Sequence, residues 1–533
     1  MAINDLYSDG ITKGWKVRDA SALQRGETLE ADVVIVGSGA GGGTAAELLA
    51  SAGLKVLMIE EGALHTSQDF KAMDEFRSYG TLYQEAAGRA TSDGAIPILQ
   101  GRAVGGSTVV NWTTSIRTPD ATLSYWSEQF GVRDAMPEDM APWFAKMEAR
   151  LGIAPWAAAP NANNAVLRDG CEKLELHWKT VPRNVRGCWN LGYCGLGCPV
   201  NAKQSMLVTT IPAALDHGMT LLHRARVERL RFADGHVTGM VVAALDAGSG
   251  HPSGVTLDVR ARHYILAAGA INTPALLLRS KAPDPQHRIG QRSCIHPVNV
   301  SLAQFDKAID GYYGAPQSIY SDHFLWPADG SIGYKLEVPP LQPMLASSVM
   351  GNFGDALAAD MAQLPHAQVL IALMRDGFHE QSQGGRIRID AHGQPVFDYD
   401  VHDALWDALR RAYLSMAEIQ FAAGARVVRP MHLDAQTYSS WKDAKAGIAA
   451  LPMKKQRAGL VTAHLMGGCA MGEDRERCVV DSHGRFHAAD NLSIFDGSIF
   501  PSSIGANPQL SIYAFTARNT QRLLARLQPA AAA

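Results

Sequence analysis

The chain has 533 residues, too many for one compact core, so two domains that share a large interface are expected. Hydrophobic residues make up 47% of the chain and charged residues 19%, which is typical of a folded protein and excludes a disordered one. The formal net charge is -3 and no long basic run is present, so we expect no nucleic-acid partner.

The first predicted element is a strand at residues 32–37, DVVIVG, a short apolar run that ends in glycine. Residues 43–53 have apolar side chains at helical spacing and predict a helix that closes on Gly53. Residues 55–62, KVLMIEEG, supply a second buried strand. These three elements form one βαβ unit, the building block of a doubly wound, Rossmann-like α/β fold.

Residues 120–200 are rich in Trp, Pro, Asn and Gly, and they predict irregular covering structure around one helix at 140–152. Strand-like alternation then returns in three pieces, at 220–232, 237–245 and 255–269.

The third quarter of the chain, residues 295–455, predicts a mixture of strands and helices. Strand-like pieces stand at 385–390 and 395–400, and a long helix at 404–424. After them come a strand-like piece at 491–497 and an amphipathic helix at 508–527.

Three glycines, Gly37, Gly39 and Gly42, follow the first predicted strand directly and open the predicted helix. In this context Gly37 permits a tight turn, Gly39 lets the backbone approach a pyrophosphate, and Gly42 allows close packing of helix on strand. Glu60, at the end of the second strand, is placed to accept hydrogen bonds from a ribose diol. The pattern predicts a dinucleotide site but does not separate FAD from NAD.

Further segments, together with this fingerprint, resemble the glucose-methanol-choline (GMC) oxidoreductases, a family of FAD enzymes. One is residues 101–112, GRAVGGSTVVNW, in which the resemblance places Gly105, Gly106, Ser107 and Asn111 against the flavin. Members of the family that attach FAD through a histidine place this residue near the stretch 101–112. The stretch contains no histidine here, so the resemblance implies that FAD is bound without a covalent link.

Residues 264–280 resemble a second signature of the family, with a strand that ends at Gly269 and a helix that starts around Thr273-Pro274. Where the family usually continues Ser-Gly, this chain has Ser280-Lys281. Residues 225–230 resemble the strand that contacts adenine, which implies that the backbone of Val227 meets the base.

The last two segments are residues 462–472, TAHLMGGCAMG, and residues 495–514. By resemblance His464 is the catalytic base and Asn507 its partner, as in cholesterol oxidases and long-chain alcohol oxidases. Asp496 and Gly497 would lie by the ribityl-phosphate part of FAD, and Pro508 would also contact the cofactor.

The resemblance implies a discontinuous FAD-binding domain made of residues 1–120, 205–295 and 456–533. A second, α+β domain with an antiparallel sheet would comprise residues 121–204 and 296–455 and would bind the substrate.

The implied reaction moves a hydride from an alcohol carbon to the flavin, which supplies the redox chemistry. The hydroxyl must lose its proton, and His464 suits this role because a histidine titrates near neutral pH. Asn507 would hydrogen-bond the same oxygen and orient the substrate. The resemblance to long-chain alcohol oxidases favours a hydrophobic or long-chain aliphatic alcohol, oxidised to an aldehyde or ketone. The apolar stretch 341–353 is a candidate lining for its chain.

Several alternatives stay open at this stage. The family includes hydroxynitrile lyases and light-driven enzymes that act on fatty acids, and the glycine fingerprint alone fits a pyridine-nucleotide dehydrogenase. The electron acceptor could be oxygen, a quinone or a cytochrome. Cys188, Cys194 and Cys198 stand at short spacing but match no strong ligand pattern, so we predict a structural loop and no metal site.

The amino terminus lacks the apolar core of a signal peptide, and no stretch is long and apolar enough to span a bilayer. Seven cysteines, a low and odd number, fit a reducing compartment. We therefore expect a cytoplasmic protein and leave peripheral contact with a membrane open.

Overall fold

The structure is a computed structural model that describes residues 3–528. Its helices are α1 Leu6–Thr12, α2 Ala40–Ser51, α3 Ser67–Phe70, α4 Glu75–Leu82, α5 Asp120–Phe130, α6 Pro137–Leu151, α7 Ala162–Lys173, α8 Thr210–Asp216, α9 Gly269–Arg279, α10 Pro343–Val349, α11 Gly354–Ala362, α12 Asp403–Ala422, α13 Trp441–Ala450 and α14 Gln509–Leu527.

Its strands are β1 Lys16–Asp19, β2 Thr28–Val36, β3 Val56–Ile59, β4 Ile153–Pro155, β5 Lys179–Thr180, β6 Pro182–Asn184, β7 Thr220–His223, β8 Ala225–Ala233, β9 His236–Leu245, β10 Pro252–Leu266, β11 Cys294–Ile295, β12 Val298–Gln304, β13 Ile319–Ser321, β14 Tyr334–Glu337, β15 Ala367–Met374, β16 Arg386–Ile389, β17 Pro395–Asp398, β18 Val427–Pro430, β19 Leu465–Met466 and β20 Leu492–Ile494.

The larger sheet has eight strands in the order β1-β7-β3-β2-β10-β9-β8, with β20 paired to the carboxyl end of β10. Strands β1, β7, β3, β2, β10 and β20 pair in parallel with their neighbours in this group. Strand β9 pairs antiparallel with β10 on one side and with β8 on the other. The centre of this sheet is apolar on both faces, since residues 33–36 and 56–59 are all buried. The predicted doubly wound α/β fold is therefore confirmed.

The second sheet has six antiparallel strands in the order β18-β12-β15-β14-β13-β5. Because side chains alternate along a strand, each face of this sheet has its own set of neighbours. One face packs on the buried side of α12, and the other carries Val298, Val300, Val369, Ile371 and Leu373 toward a large cavity. The predicted antiparallel sheet is confirmed.

The prediction of irregular structure between residues 120 and 200 is wrong for two segments, the helices α5 and α7, whereas the helix predicted at 140–152 is observed as α6. Proline and glycine act there as helix boundaries: Pro137 begins α6, while Gly131 and Gly152 end α5 and α6 in the left-handed conformation. Helices α5 and α6 also pack into the core of the larger sheet, through residues such as Trp126 and Phe144.

Two helices begin earlier than the sequence indicates. Helix α2 starts at Ala40 instead of residue 43, so the glycine-rich run forms its first turn. Helix α9 starts at Gly269 instead of Thr273-Pro274, and Pro274 lies inside it. The side chain of Thr273 accepts a hydrogen bond from Ala268 N at 3.1 Å, which gives this first turn a partner that a sequence pattern does not reveal.

The single strand expected at residues 220–232 is two strands, β7 and β8, because Arg224 between them has φ +52°. The pieces at 385–390 and 395–400 pair with each other as the hairpin β16-β17 and lie outside the six-stranded sheet. This hairpin packs against α9, the helix that follows β10 of the larger sheet.

Candidate functional site

One cavity of about 890 Å³ runs between the two sheets. Its wall includes the loop after β2, the carboxyl end of β10, the apolar face of the six-stranded sheet and the segment before α14. The carboxyl ends of parallel strands are the usual place for ligands in this kind of fold. The geometry of the cavity can therefore be followed from the glycine-rich end to the apolar end.

The glycine-rich end lies at the amino terminus of α2. Gly37 has φ +95°, and a Cβ there would stand 2.4 Å from the carbonyl oxygen of Ala267. A Cβ on Gly42 would stand 1.9 Å from the carbonyl oxygen of Gly37, so Gly42 serves packing and does not line the cavity. Gly39 is the N-cap residue and lines the cavity, which leaves backbone N–H groups of the helix free to meet an anion.

Gly41 is a glycine that the three-glycine pattern does not include. A Cβ at this position would stand 1.5 Å from the carbonyl oxygen of Phe495, closer than at Gly37 or Gly42. The contact joins α2 to the segment after β20, which lies 450 residues later in the chain, so no local signal could have found it.

Glu60 directly follows β3 and lines the cavity. It is 7% exposed. Its carboxylate accepts hydrogen bonds from Ser38 N (2.9 Å), Ser38 Oγ (2.6 Å) and Gly62 N (2.7 Å). Burial raises the pKa of Glu60. The side chain is thus fixed beside the glycine turn, where the remaining lone pair on Oε1 can accept a hydrogen bond from one hydroxyl group of a ribose.

The loop 101–112 lies against the glycine turn. Gly106 lines the cavity with φ +54°, and a Cβ there would stand 2.7 Å from Gly39 Cα. Gly105 (φ +97°) does not line the cavity but donates from its N–H to Ser38 Oγ at 2.9 Å. Ser107 lines the cavity and its Oγ accepts from Gly101 N at 2.9 Å.

Asn111 also lines the cavity, and its Nδ2 donates to Gln509 Oε1 at 2.7 Å. Gln509 Nε2 donates in turn to the carbonyl oxygen of Thr114 at 2.7 Å. Pro508, just before Gln509, lies in the same wall. These bonds tie the 101–112 loop to the start of α14.

Val227 on β8 also lines the cavity. Its carbonyl oxygen accepts from Arg279 Nη2 at 3.1 Å, and Arg279 Nη1 donates to the carbonyl oxygen of Gly393 at 3.1 Å. Gly393 belongs to the turn of the hairpin β16-β17, which the sequence division assigns to the substrate domain. This turn is part of the cavity wall beside the predicted adenine strand.

Asp496 is buried after β20 and holds the start of α9. Its Oδ2 accepts from Gly269 N (2.9 Å) and Thr273 Oγ1 (2.6 Å), and its Oδ1 accepts from Ser498 N (2.8 Å). Burial raises the pKa of Asp496. Gly269 has φ +89°, and both it and Gly497 line the cavity with Asp496.

His464 and Asn507 both line the cavity. His464 Nδ1 lies 2.9 Å from Nδ1 of His296. His296 is buried. Gly505 N points its hydrogen at His296 Nε2 at 3.3 Å. Burial lowers the pKa of His464 to about 4, nearby Glu337 opposes this shift, and Lys335 adds to it.

Asn507 is 4% exposed and meets a buried ion pair. Lys335 Nζ donates to Asn507 Oδ1 at 2.6 Å, and Asn507 Nδ2 donates to Glu337 Oε2 at 3.2 Å. Sequence reasoning missed His296, Lys335 and Glu337, because none of them lies in a segment with a recognisable pattern.

The apolar end of the cavity is formed by the open face of the six-stranded sheet and by α10. Val300 and Ile371, partners in the register of β12 and β15, lie there with Leu341, Leu345 and Val349. The stretch 341–353, a candidate lining in the sequence, thus contributes residues to this wall.

Cys188, Cys194 and Cys198 lie away from the cavity wall. Lys203, buried nearby, donates to the carbonyl oxygens of Val109 (2.6 Å), Asn111 (2.6 Å) and Cys194 (2.7 Å). Within residues 3–528, no group of His, Cys, Asp and Glu is arranged to hold a metal ion. The cysteine segment is joined through Lys203 to the 101–112 loop.

The doubly wound sheet and the glycine turn that faces the cavity define an architecture of the dinucleotide-binding class. Residues 79–298 match the amino-terminal domain, and residues 381–516 the carboxy-terminal domain, of the family described as GMC oxidoreductase. The chain belongs to the GMC oxidoreductase family, as the sequence resemblance predicted.

Relatives in sequence and structure agree with this membership. The chain is 30% identical over 500 residues to the GMC-type oxidoreductase y4nJ of Sinorhizobium fredii, covering 93% of this chain and 95% of the relative. It is also 30% identical to the long-chain-alcohol oxidase FAO4B of Arabidopsis thaliana, covering 91% and 66% of the two chains.

Two solved structures share the fold. A formate oxidase from Aspergillus oryzae, described in a study of FAD modification, has a TM-score of 0.70 at 16% identity, covering 94% of this chain and 99% of that one. Pyridoxine 4-oxidase from Mesorbium loti has a TM-score of 0.65 at 20% identity, covering 92% and 98%. None of the helices described between residues 3 and 528 is long and apolar enough to cross a membrane.

Proposed function

We propose that the protein binds FAD and oxidises a hydrophobic alcohol to an aldehyde or ketone. The observation that carries this proposal is that one cavity is lined by His464 and Asn507 together with the glycine turn after β2 and the apolar face of the six-stranded sheet. The long-chain-alcohol oxidases FAO4B and FAO1 of Arabidopsis thaliana are 30% and 28% identical to this chain, and their names support an alcohol substrate.

The residues present fit FAD. Gly39 and Gly106 approach each other so closely that a Cβ on Gly106 would stand 2.7 Å from Gly39 Cα, which makes a narrow backbone cradle at the start of α2. The pyrophosphate would lie there, Glu60 would hold the ribose, and Asp496 and Gly497 the ribityl-phosphate region. The backbone of Val227 would meet the adenine.

When bound, FAD accepts a hydride from the carbon that carries the hydroxyl group. Asn507 donates a hydrogen bond to the hydroxyl oxygen and holds the carbon in position. His464, neutral above its low pKa, takes the hydroxyl proton on Nε2, the ring nitrogen opposite its contact with His296.

This base role fixes the tautomer that His464 must adopt. Only one proton fits between two Nδ1 atoms 2.9 Å apart, and Nε2 of His464 is free to accept only when that proton belongs to His464. His296 is then protonated on Nε2 and loses the hydrogen bond from Gly505 N at 3.3 Å. This loss leaves the buried N–H group of Gly505 without its acceptor, at about 1–3 kcal/mol.

The substrate class follows from the apolar end of the cavity. The faces of β12 and β15 and the buried side of α10 offer aliphatic side chains such as Val300, Ile371 and Val349. An alkyl chain that leaves water for this wall gains about 0.8 kcal/mol per methylene group. A primary alcohol with a long chain is therefore favoured over a small polar one.

Oxygen is the proposed electron acceptor, because the plant relatives are named as oxidases. A quinone or cytochrome is the alternative, and reoxidation of the reduced protein by air or by a soluble quinone distinguishes them. FAD is proposed to be bound without a covalent link, so acid precipitation should release all of the flavin into the supernatant.

The test is an anaerobic visible spectrum of the purified protein before and after addition of 1-butanol, 1-decanol and a sterol. Loss of the yellow flavin band with 1-decanol supports the proposal. A yellow protein that no alcohol bleaches contradicts it and favours a lyase or light-driven reaction, whereas a colourless protein favours a pyridine-nucleotide dehydrogenase.

A further inference from the structure

Two charged side chains lie buried behind Asn507, on strand β14. Lys335 is 2% exposed and Glu337 is 0% exposed, and Lys335 Nζ lies 2.8 Å from Glu337 Oε1. Neither residue lines the cavity, whereas Asn507 does. Asn507 therefore stands between the ion pair and the cavity.

The position of the pair on the sheet is unusual. Lys335 is the register partner of Leu373, and Glu337 of Ile371, so the two charges share a face with aliphatic side chains. Replacing a buried ion pair with well-packed apolar residues often leaves the stability of a protein unchanged or increases it. Packing alone therefore gives no reason for two charged side chains at these positions.

The pair fixes the orientation of the Asn507 amide. A lysine ammonium can only donate and a carboxylate can only accept, so Oδ1 must face Lys335 and Nδ2 must face Glu337. Nδ2 has a second hydrogen, which the bond to Glu337 does not use. That hydrogen is the donor that Asn507 can offer to the cavity.

Glu337 is itself held by a further hydrogen bond. Gln317 Nε2 donates to Glu337 Oε2 at 2.5 Å, and Thr114 Oγ1 donates to Gln317 Oε1 at 2.6 Å. Oε2 of the carboxylate thus accepts hydrogen bonds from Gln317 and Asn507, while Oε1 lies against the Lys335 ammonium.

We propose that Lys335 and Glu337 are positioning residues, which hold Asn507 so that it presents an N–H group to the substrate oxygen and never its carbonyl. An N–H donor stabilises the negative charge that grows on that oxygen as the proton leaves. The inference rests on the proposed function, since it assigns the oxygen to an alcohol.

The test uses the FAD-loaded protein and the neutral double variant Lys335→Met with Glu337→Gln, which keeps the shape of both side chains. The first probe is decanamide, an unreactive ligand whose carbonyl oxygen accepts a hydrogen bond, with binding followed by the change in flavin absorbance. The second is the rate of anaerobic flavin reduction by 1-decanol. We expect decanamide to bind about tenfold more weakly, as for a lost hydrogen bond, and reduction to slow by about tenfold or more.

Flavin content and melting temperature identify variants that fail to fold, and the single variant Glu337→Gln provides a milder change. Lys179→Met is the matched control, because Lys179 pairs with Asp322 at the surface of the same sheet and should leave both probes unchanged. In an Asn507→Ala background, neutralising the pair should have no further effect on either probe.

Decanamide affinity that is unchanged in a folded, loaded double variant overturns the inference, as do full additive effects in the Asn507→Ala background. Wild-type protein that binds decanamide but is not reduced by 1-decanol contradicts the proposed reaction alone, and the affinities of the variants still decide the positioning role. Wild-type protein that does not bind decanamide overturns the positioning role directly.

Discussion

Val300→Phe tests whether the apolar end of the cavity holds an alkyl chain. Val300 is 3% exposed on β12 and faces the cavity beside Ile371, its register partner on β15. A phenyl ring at this position fills space that two or three methylene groups of a long substrate would occupy. At about 0.8 kcal/mol per methylene, the loss is roughly 2 kcal/mol, or roughly 30-fold in kcat/KM.

The assay is kcat/KM for a series of primary alcohols from 1-butanol to 1-dodecanol, measured for wild type and variant. The long alcohols should lose about 30-fold and 1-butanol should be almost unaffected, because only the long chains reach the ring. Leu302→Phe is the control, since Leu302 lies on the same strand and face but outside the cavity wall. An equal loss for all chain lengths, or none for the long ones, would refute the reasoning.

Three further predictions concern the polar part of the cavity. His464→Ala should keep its flavin but lose alcohol turnover by on the order of 10² to 10⁴, and a visible spectrum with anaerobic reduction checks both; substantial turnover would remove His464 from the reaction. Burial lowers the pKa of His464 to about 4, and only the neutral ring accepts a proton, so kcat/KM should be flat from about pH 5 to pH 8 and fall as the pH drops through about 4. An acid limb near pH 6.5 would contradict this. Glu60→Leu leaves the N–H and O–H of Ser38 and the N–H of Gly62 without their acceptor, at roughly 1–3 kcal/mol each, so the purified variant should carry little flavin. A normal ratio of flavin to protein would show that Glu60 is dispensable.

Local patterns predicted the parts of the fold that depend on neighbours in sequence. The βαβ unit around Gly37 and Gly39 follows from a β-branched strand, a glycine turn and a helix, all within residues 32–59. The placement of His464 and Asn507 in one cavity agrees with the resemblance, although their chemical roles stay predictions.

The missed features depend on distant parts of the chain. Gly41 is constrained by Phe495, and Asn507 is held by Lys335 and Glu337, which lie on a strand 170 residues earlier. A lysine and a glutamate two residues apart in a sequence look like an exposed strand face. Only the folded structure shows that both side chains are buried and that they contact Asn507.

The irregular structure expected at residues 120–200 shows a different limit. Pro119 and Gly131 count against a helix when composition is averaged over a long window, yet Pro119 is the N-cap residue of α5 and Gly131 ends this helix in the left-handed conformation. Composition over long windows therefore hides helices that are bounded by residues of this kind.

The strand β10 pairs on one side with β2, near the start of the chain, and on the other with β20, near its end. During synthesis on the ribosome the larger sheet therefore stays incomplete until β20 has emerged, well after β2 and β10. Asp496 and Gly497 follow β20, so this part of the cavity wall also forms after the rest of the larger sheet. Such long-range pairing is slow, and the waiting amino-terminal strands expose apolar edges that need protection from aggregation.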